Sequence, residues 1–306
     1  MSFPVLASTF ANNILPIILL SAAGFALGKL LHIDSRSLGR VVFYVFSPVL
    51  IFDLLIQNQL EIREAAVVIA FALAFILTMG VVTLILGRFL KLERPALISI
   101  LITTMFANTG NYGLPLVLFA FGEQALSYAG VYFVTTTLLF YTLGVFLASL
   151  GHMNFKEAIV GLFRIPTLYA VLLAILINAW KIEFPIPVSR AVELAAGGTI
   201  PLMLILLGVQ LTSLEFSGNQ RAMQLSISLR MILAPLAALL LAALFGLQGF
   251  TRQAGVTQAS MPSMVSATVL ATEYDLDSKL VTAVVFISTL LSPLTLTPLL
   301  VFLGSS

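Results

Sequence analysis

The sequence predicts an all-α polytopic membrane protein of ten transmembrane helices in a five-plus-five inverted repeat, the fourth and ninth of them broken. Three observations predict it. Of 306 residues, 60% are hydrophobic and 9% charged, with a mean hydropathy of +1.10, whereas soluble domains carry roughly 25% charged residues. Apolar runs near the roughly 20 residues a bilayer demands follow one another with short loops between them. Prolines recur at about half the chain length.

The elements follow in order. The first run, 10–31, has no basic segment before it and no small-residue cleavage site after it, so it reads as a retained span. The second, 37–57, carries Pro48 and Asp53, and the third is 64–87. The fourth, 95–119, is interrupted by Ala107-Asn108-Thr109-Gly110-Asn111-Tyr112-Gly113-Leu114-Pro115. The fifth, 124–149, contains Thr135, Thr136 and Thr137; the sixth, 157–179, and the seventh, 191–213, contain Pro166 and Pro201. The eighth, 222–246, contains Arg230, and the ninth, 251–271, is interrupted around Gln258-Ala259-Ser260-Met261-Pro262-Ser263. The tenth is 279–303. No length is left for a sizeable soluble domain.

Ten spans place both termini on one side. One set of loops holds Lys29, Arg36, Arg40, Arg88, Lys91, Arg94, Lys156, Arg164, Arg221 and Lys279; the other holds Arg63, Lys181, Arg190 and Arg252. The richer set faces the cytoplasm by the positive-inside rule, so both termini are expected on the non-cytoplasmic side. The basic balance (pI near 9.0, net charge +2) therefore orients spans and does not point to nucleic acid. With no cysteine, disulfides, iron–sulfur clusters and thiolate zinc sites are excluded. His32 and His152 fall in expected loops and cannot build a metal cluster.

Pro16, Pro48 and Pro115 recur as Pro166, Pro201 and Pro262, at offsets of 150, 153 and 147 residues. Five spans per copy is odd, so the second copy runs inverted, an arrangement used by secondary transporters. This divides the chain into repeats 1–153 and 154–306 and pairs Asn111 with Gln258. Prolines are also common in membrane helices, which is the competing account of the spacing.

Gly and Pro inside a span free backbone groups that hydrocarbon cannot satisfy, so such a break is buried in protein or lines a cavity. At these residues the chain resembles the auxin efflux carrier family, which includes plant PIN-type carriers and bacterial transporters of organic acids. That family belongs with the bile-acid sodium symporters in a ten-helix superfamily. The matching marks are Asn-Thr-Gly-Asn-Tyr-Gly-Leu-Pro at 108–115, and the span-nine break followed by Ala271-Thr272-Glu273-Tyr274. The resemblance covers the whole chain; the long cytoplasmic loop of many plant carriers is absent. It implies a rocking or elevator-like carrier whose spans four and nine cross at mid-membrane to make the substrate site, and it implies a homodimer.

If the breaks cross, Asn108, Thr109, Asn111 and Tyr112 line one side, and Gln258, Ser260, Ser263 and Ser266 the other. Gly110, Gly113, Pro115 and Pro262 make the breaks. The two prolines suit the first helical turn after each break, where a missing N–H costs nothing. Helix N-termini attract an anion, and spans four and nine and their neighbours show no basic residue near mid-membrane. The same polar groups can instead cap the broken ends.

Asp53, several residues inside span two, costs ~2.5–3.5 kcal/mol on insertion scales and is a candidate proton carrier; near the interface it would simply be hydrated. Arg230 is expected to snorkel to the interface or else to pair with a carboxylate. Glu273, Asp275, Asp277 and Lys279 read as a solvated loop, and Arg190 and Glu193 as a pair on one helix face. The threonines of span five either face the site or bond back into their own helix.

These residues point to a carrier of a small organic anion, a carboxylate, in the inner (plasma) membrane. No cofactor or metal is expected. Proton coupling through Asp53, or facilitated flux, is favoured over sodium; the rival is a sodium-coupled symporter of the bile-acid type, although the neighbourhood of Gln258 has no acidic residue before Glu273. An enzyme is not expected, since no nucleophile with a base converges inside the membrane.

Overall fold

A computed structural model describes residues 2–57, 60, 62–149, 165–182, 185–212 and 219–304. Among them the chain is helical and no strand forms. The helices are α1 (Phe3–Leu31), α2 (Ser35–Gln57), α3 (Ile62–Phe89), α4 (Arg94–Met105), α5 (Thr109–Ala148), α6 (Pro166–Trp180), α7 (Ile186–Gln210), α8 (Gln220–Leu244), α9 (Gly249–Ala259), α10 (Ser266–Glu273) and α11 (Ser278–Leu303). Seven of these, α1, α2, α3, α5, α7, α8 and α11, are long and apolar enough to cross a membrane; α4 and α6 are shorter apolar helices. The protein is a multi-pass membrane protein.

The expected fourth span falls on α4 and the start of α5, and the ninth on α9 and α10. Between the expected fourth and fifth spans α5 is broken at Gly122, where two helical stretches meet at a kink; its φ of 79° and ψ of −172° suit a residue without Cβ. Residues 157–164 of the sixth span, Lys156, Arg164, His152 and the junction between 1–153 and 154–306 lie outside the described residues.

Local chemistry explains the helix starts. Asp34 caps α2 by accepting from the N–H groups of Arg36 and Ser37, and the Ser37 hydroxyl beside it holds its carboxyl below the usual range. Asn219 caps α8 in the same way. Pro95 and Pro166 sit in the first turns of α4 and α6, where no N–H is needed.

Two groups of helices pack. Helices α1, α2, α6 and α7 form one, with α1 against α7 and α2 against α6; α3, α4, α5 and α8 to α11 form the other. The α1–α7 contact is backbone on backbone. A Cβ on Gly24 would lie 2.1 Å from the Ile205 carbonyl oxygen, and one on Gly208 would lie 1.9 Å from that of Ser21. Small residues let membrane helices approach this closely, which recovers dispersion energy where no hydrophobic force acts between helices.

The outward faces are apolar. On α3, Leu73, Leu77, Val81, Ile85 and Phe89 are exposed at every fourth position, and on α8 Ile232, Leu236, Leu240 and Leu244 are. One helix face in water carrying such a stripe would be costly, and in lipid it is at home. The opposite face of α3, through Val68, Phe71, Phe75, Ile76 and Met79, is buried in the core of the second group. Among the described residues five wide π-helical turns interrupt otherwise regular helices, including Phe10–Ile14, Thr109–Gly113 and Leu229–Leu233. Each inserts a residue and shifts the helical phase beyond it.

Candidate functional site

The polar interruptions of the sequence meet in the second helix group. Helix α4 ends at Met105, and Phe106 is extended at φ −108° and ψ 119°. Helix α9 ends at Ala259, and α10 begins only at Ser266. Between these ends, Ala107 and Ser263 form an antiparallel bridge. The Asn108 N–H donates to the Pro262 carbonyl at 2.8 Å, and the Met264 N–H donates to the Phe106 carbonyl at 3.0 Å. Side chains reinforce the pairing. Ser263 Oγ donates to the Thr103 carbonyl at 2.8 Å, and the Ser263 N–H donates to Ser288 Oγ of α11 at 3.2 Å. Backbone groups that could not be left bare in hydrocarbon thus satisfy one another.

Beyond the bridge, Thr109–Gly113 forms a π-helical turn that leads into the regular part of α5. Pro115 stands in the first turn of that regular part, as its chemistry predicts. Pro262 does not. It lies in the extended segment itself, four residues before α10, and gives its carbonyl to Asn108. The pairing of Asn111 with Gln258 inferred from the proline spacing changes accordingly: Asn111 follows the first interruption, whereas Gln258 stands in the last turn before the second.

The candidate side chains divide by whether their polar atoms are already used. Ser260 Oγ donates back to the Val256 carbonyl, and Tyr112 Oη accepts from Ser292 Oγ at 3.0 Å. Thr109 and Thr136 share a hydroxyl–hydroxyl bond of 3.0 Å, while Thr135 bonds back to the Val131 carbonyl. Ser266 is half-buried at the start of α10. Asn108 Nδ2, Gln258 Oε1, Thr257 Oγ1 and Thr137 Oγ1 are buried and have no hydrogen-bond partner among the described residues. Gln258 is anchored by Nε2 donating to the Ala129 carbonyl at 3.3 Å. Its Oε1 fits only because Gly113 lacks a Cβ, which would stand 2.0 Å away; Gly110 likewise leaves room for the Phe133 ring, 2.8 Å from where its Cβ would be. Unpartnered buried amides and hydroxyls cost about 1–3 kcal/mol each and call for a role.

Asn111 points the other way, toward the first helix group. Its Nδ2 donates to Gln210 Oε1 at 3.3 Å, at the end of α7. Gln210 also lines a cavity of about 240 Å³, together with Arg36, Val265, Thr268, Thr272, Glu273 and Thr282 among others. That cavity follows α10 from Val265, beside the bridge, to Glu273 at its end. Eight residues of helix make this about 12 Å. The Glu273 side, expected to be a plain solvated loop, forms one wall of the cavity. Arg36 and Glu273 both line it and make no ion pair with each other.

Two basic residues revise the expectation of a site without cations. Arg36 faces the cavity from the start of α2. Arg230 does not snorkel, and no carboxylate pairs with it among the described residues: it is 0% exposed, and its guanidinium lies between the ends of α4 and α9. Being on α8, it is far in sequence from both interruptions. Asp53 lies apart from the bridge, one turn before the end of α2. It accepts from Gln57 Nε2 at 2.8 Å and lines a cavity of about 50 Å³ with Ser189 and Glu193. Glu193 bonds to Ser189 Oγ at 2.9 Å and does not pair with Arg190. Sequence reasoning missed Gln210 and Asn13. Asn13 Nδ2 is buried without a partner among the described residues, in the π-helical turn of α1, which packs against α5 and α11. The signal for both was a carboxamide in an apolar run.

Comparison with known proteins bears on this arrangement. Residues 9–158 and 152–300 match the family described as Membrane transport protein. An uncharacterized transporter of Methanothermobacter thermautotrophicus is 29% identical over 92% of this chain and 93% of its own length. An uncharacterized transporter of Methanocaldococcus jannaschii is 27% identical over 87% and 88%. A protein of Rhizobium meliloti described as "Putative malonate transporter" is 24% identical over 95% of each.

Proposed function

This chain belongs to the Membrane transport protein family, of the auxin efflux carrier type, and from that premise we propose that it carries a small carboxylate across the inner membrane by alternating access. The observation that carries the reading is the pairing of Ala107 with Ser263, beside which a cavity leads along α10 past Asn111–Gln210 and Arg36. In this reading α4 with the part of α5 before Gly122, and α9 with α10, are two broken spans that cross at mid-membrane, and the part of α5 after Gly122 is the fifth span, which completes a ten-span, five-plus-five inverted repeat. The packing supports it: exchanging spans one with six and two with seven turns the α1–α7 contact into the α6–α2 contact. The lipid-facing stripes also fall on spans three and eight, which the repeat makes counterparts.

A carboxylate entering the cavity meets Arg36 and Gln210 on its wall, and beyond that wall, toward the bridge, the carboxamide donors Asn111 Nδ2, bonded to Gln210, and Asn108 Nδ2, buried beside the bridge. Amide donors hold an anion with less energy than a buried ion pair, which favours release. The cavity suits a mono- or dicarboxylate of a few carbons, and the likeness to the Rhizobium meliloti protein makes malonate the first to try. The loop bearing Arg36 belongs to the lysine- and arginine-rich set, so the cavity opens to the cytoplasm and both termini lie outside. Asp53 is the proton-coupling candidate; sodium coupling is the less favoured alternative, and a homodimer is the expected assembly.

The test is uptake of labelled malonate and related carboxylates into proteoliposomes. Asn111→Ala reduces it strongly if the reading holds, and unchanged uptake by that variant rules the site out.

A further inference from the structure

We propose that Arg230 is a permanent cation built into the point where the two interrupted helix pairs meet, standing where a carrier of this architecture would otherwise bind a mobile monovalent cation. Its Nε donates to the Met261 carbonyl at 2.7 Å, one terminal nitrogen to the Thr104 carbonyl at 2.9 Å, and the other to the Ala259 carbonyl at 2.7 Å. Thr104 lies in the last turn of α4, Ala259 is the last residue of α9, and Met261 belongs to the extended segment. One guanidinium therefore gathers the C-terminal carbonyls of both half-helices.

The electrostatics close without a carboxylate. Each helix C-terminus carries roughly half a negative charge, so two of them offset about one positive charge. A lone buried cation would be very costly, and no carboxylate pairs with Arg230 among the described residues. The Phe75 ring, 5.8 Å from the guanidinium carbon, adds a π face. Thr83 Oγ1, bonded to Thr104 Oγ1 at 2.8 Å, braces the α4 end. The π-helical turn Leu229–Leu233 in α8 sets the phase that turns Arg230 inward.

Half-helix C-termini and unwound carbonyls are the groups that hold sodium in carriers with broken helices. Here those oxygens are occupied by a side chain that cannot leave. Arg230 is thus a positioning residue: it fixes the crossing in place, and it removes the need for a coupling sodium at that point. The proposal rests on the carrier reading only for its transport consequence.

The experiment compares wild type, Arg230→Met and Arg230→Lys in two assays. In proteoliposomes, wild-type malonate uptake is the same in sodium and in choline. Arg230→Met loses roughly tenfold or more, Arg230→Lys loses less, and millimolar guanidinium restores part of the Arg230→Met uptake. In detergent, Arg230→Met melts lower than wild type, and guanidinium raises its melting temperature while choline does not. A strict sodium requirement in the wild type overturns the proposal, as does Arg230→Met with wild-type melting and uptake. If the wild type transports no carboxylate at all, the carrier reading fails, and the melting of Arg230→Met with and without guanidinium still decides the role of Arg230. An Arg230→Met that melts low and that guanidinium does not raise counts against a cation and for packing alone.

Discussion

Replacing Asn108 with leucine separates ligand binding from folding. Asn108 is 4% exposed beside the bridge, and its Nδ2 has no acceptor among the described residues. Its structural bond, N–H to the Pro262 carbonyl, comes from the backbone and survives the substitution. Removing a buried donor without a partner recovers about 1–3 kcal/mol, and leucine has nearly the same size and branching. Stability therefore holds or rises. If Nδ2 donates to a carboxylate, one hydrogen bond to a charged group is lost, about 1.5–3 kcal/mol, or roughly 10- to 150-fold in uptake at low substrate concentration. The assays are thermal melting in detergent and initial uptake rate in proteoliposomes. An Asn108→Leu protein that melts several degrees lower and transports normally refutes the reasoning, because it makes the amide a structural cap.

Two further substitutions probe other parts of the molecule. Gly208→Ala drives a methyl into the Ser21 carbonyl, a backbone atom that cannot rotate away, so it destabilises by ~1–3 kcal/mol or more and lowers the melting temperature; unchanged melting would show that α1 and α7 slide apart freely. Asp53→Asn keeps the size and a hydrogen bond to Gln57 but cannot carry a proton, so it abolishes any dependence of uptake on a pH gradient while exchange continues; intact dependence removes Asp53 as the carrier.

Much of this fold is written in local chemistry. Apolar runs, Pro at helix starts and the caps at Asp34 and Asn219 fix where helices begin, and the glycines and asparagines at 107–115 mark where one is interrupted. What joins distant segments is less legible. Nothing near Arg230 in sequence points to Thr104 or Ala259, and the π-helical turn at Leu229–Leu233 resets the phase that regular periodicity would assign. Snorkelling follows from depth alone, whereas the actual position follows from two helix ends that only tertiary packing brings together. Pro262 misled for a related reason: a proline suits a first helical turn and an extended segment equally, since both tolerate its φ. Gln210 stood at the end of an apolar run, where a carboxamide reads as a simple interface residue until the cavity beside it is seen.

The central claim is that a carboxylate occupies the cavity between the bridge and Arg36. The chain has no native cysteine, so a single cysteine reports one place. Thr268→Cys lies on the cavity wall, and Leu240→Cys on a lipid-facing stripe. Malonate should slow alkylation of Thr268→Cys by a water-soluble maleimide and leave Leu240→Cys unaffected. A Thr268→Cys protein that transports malonate yet reacts at the same rate with and without it contradicts the account.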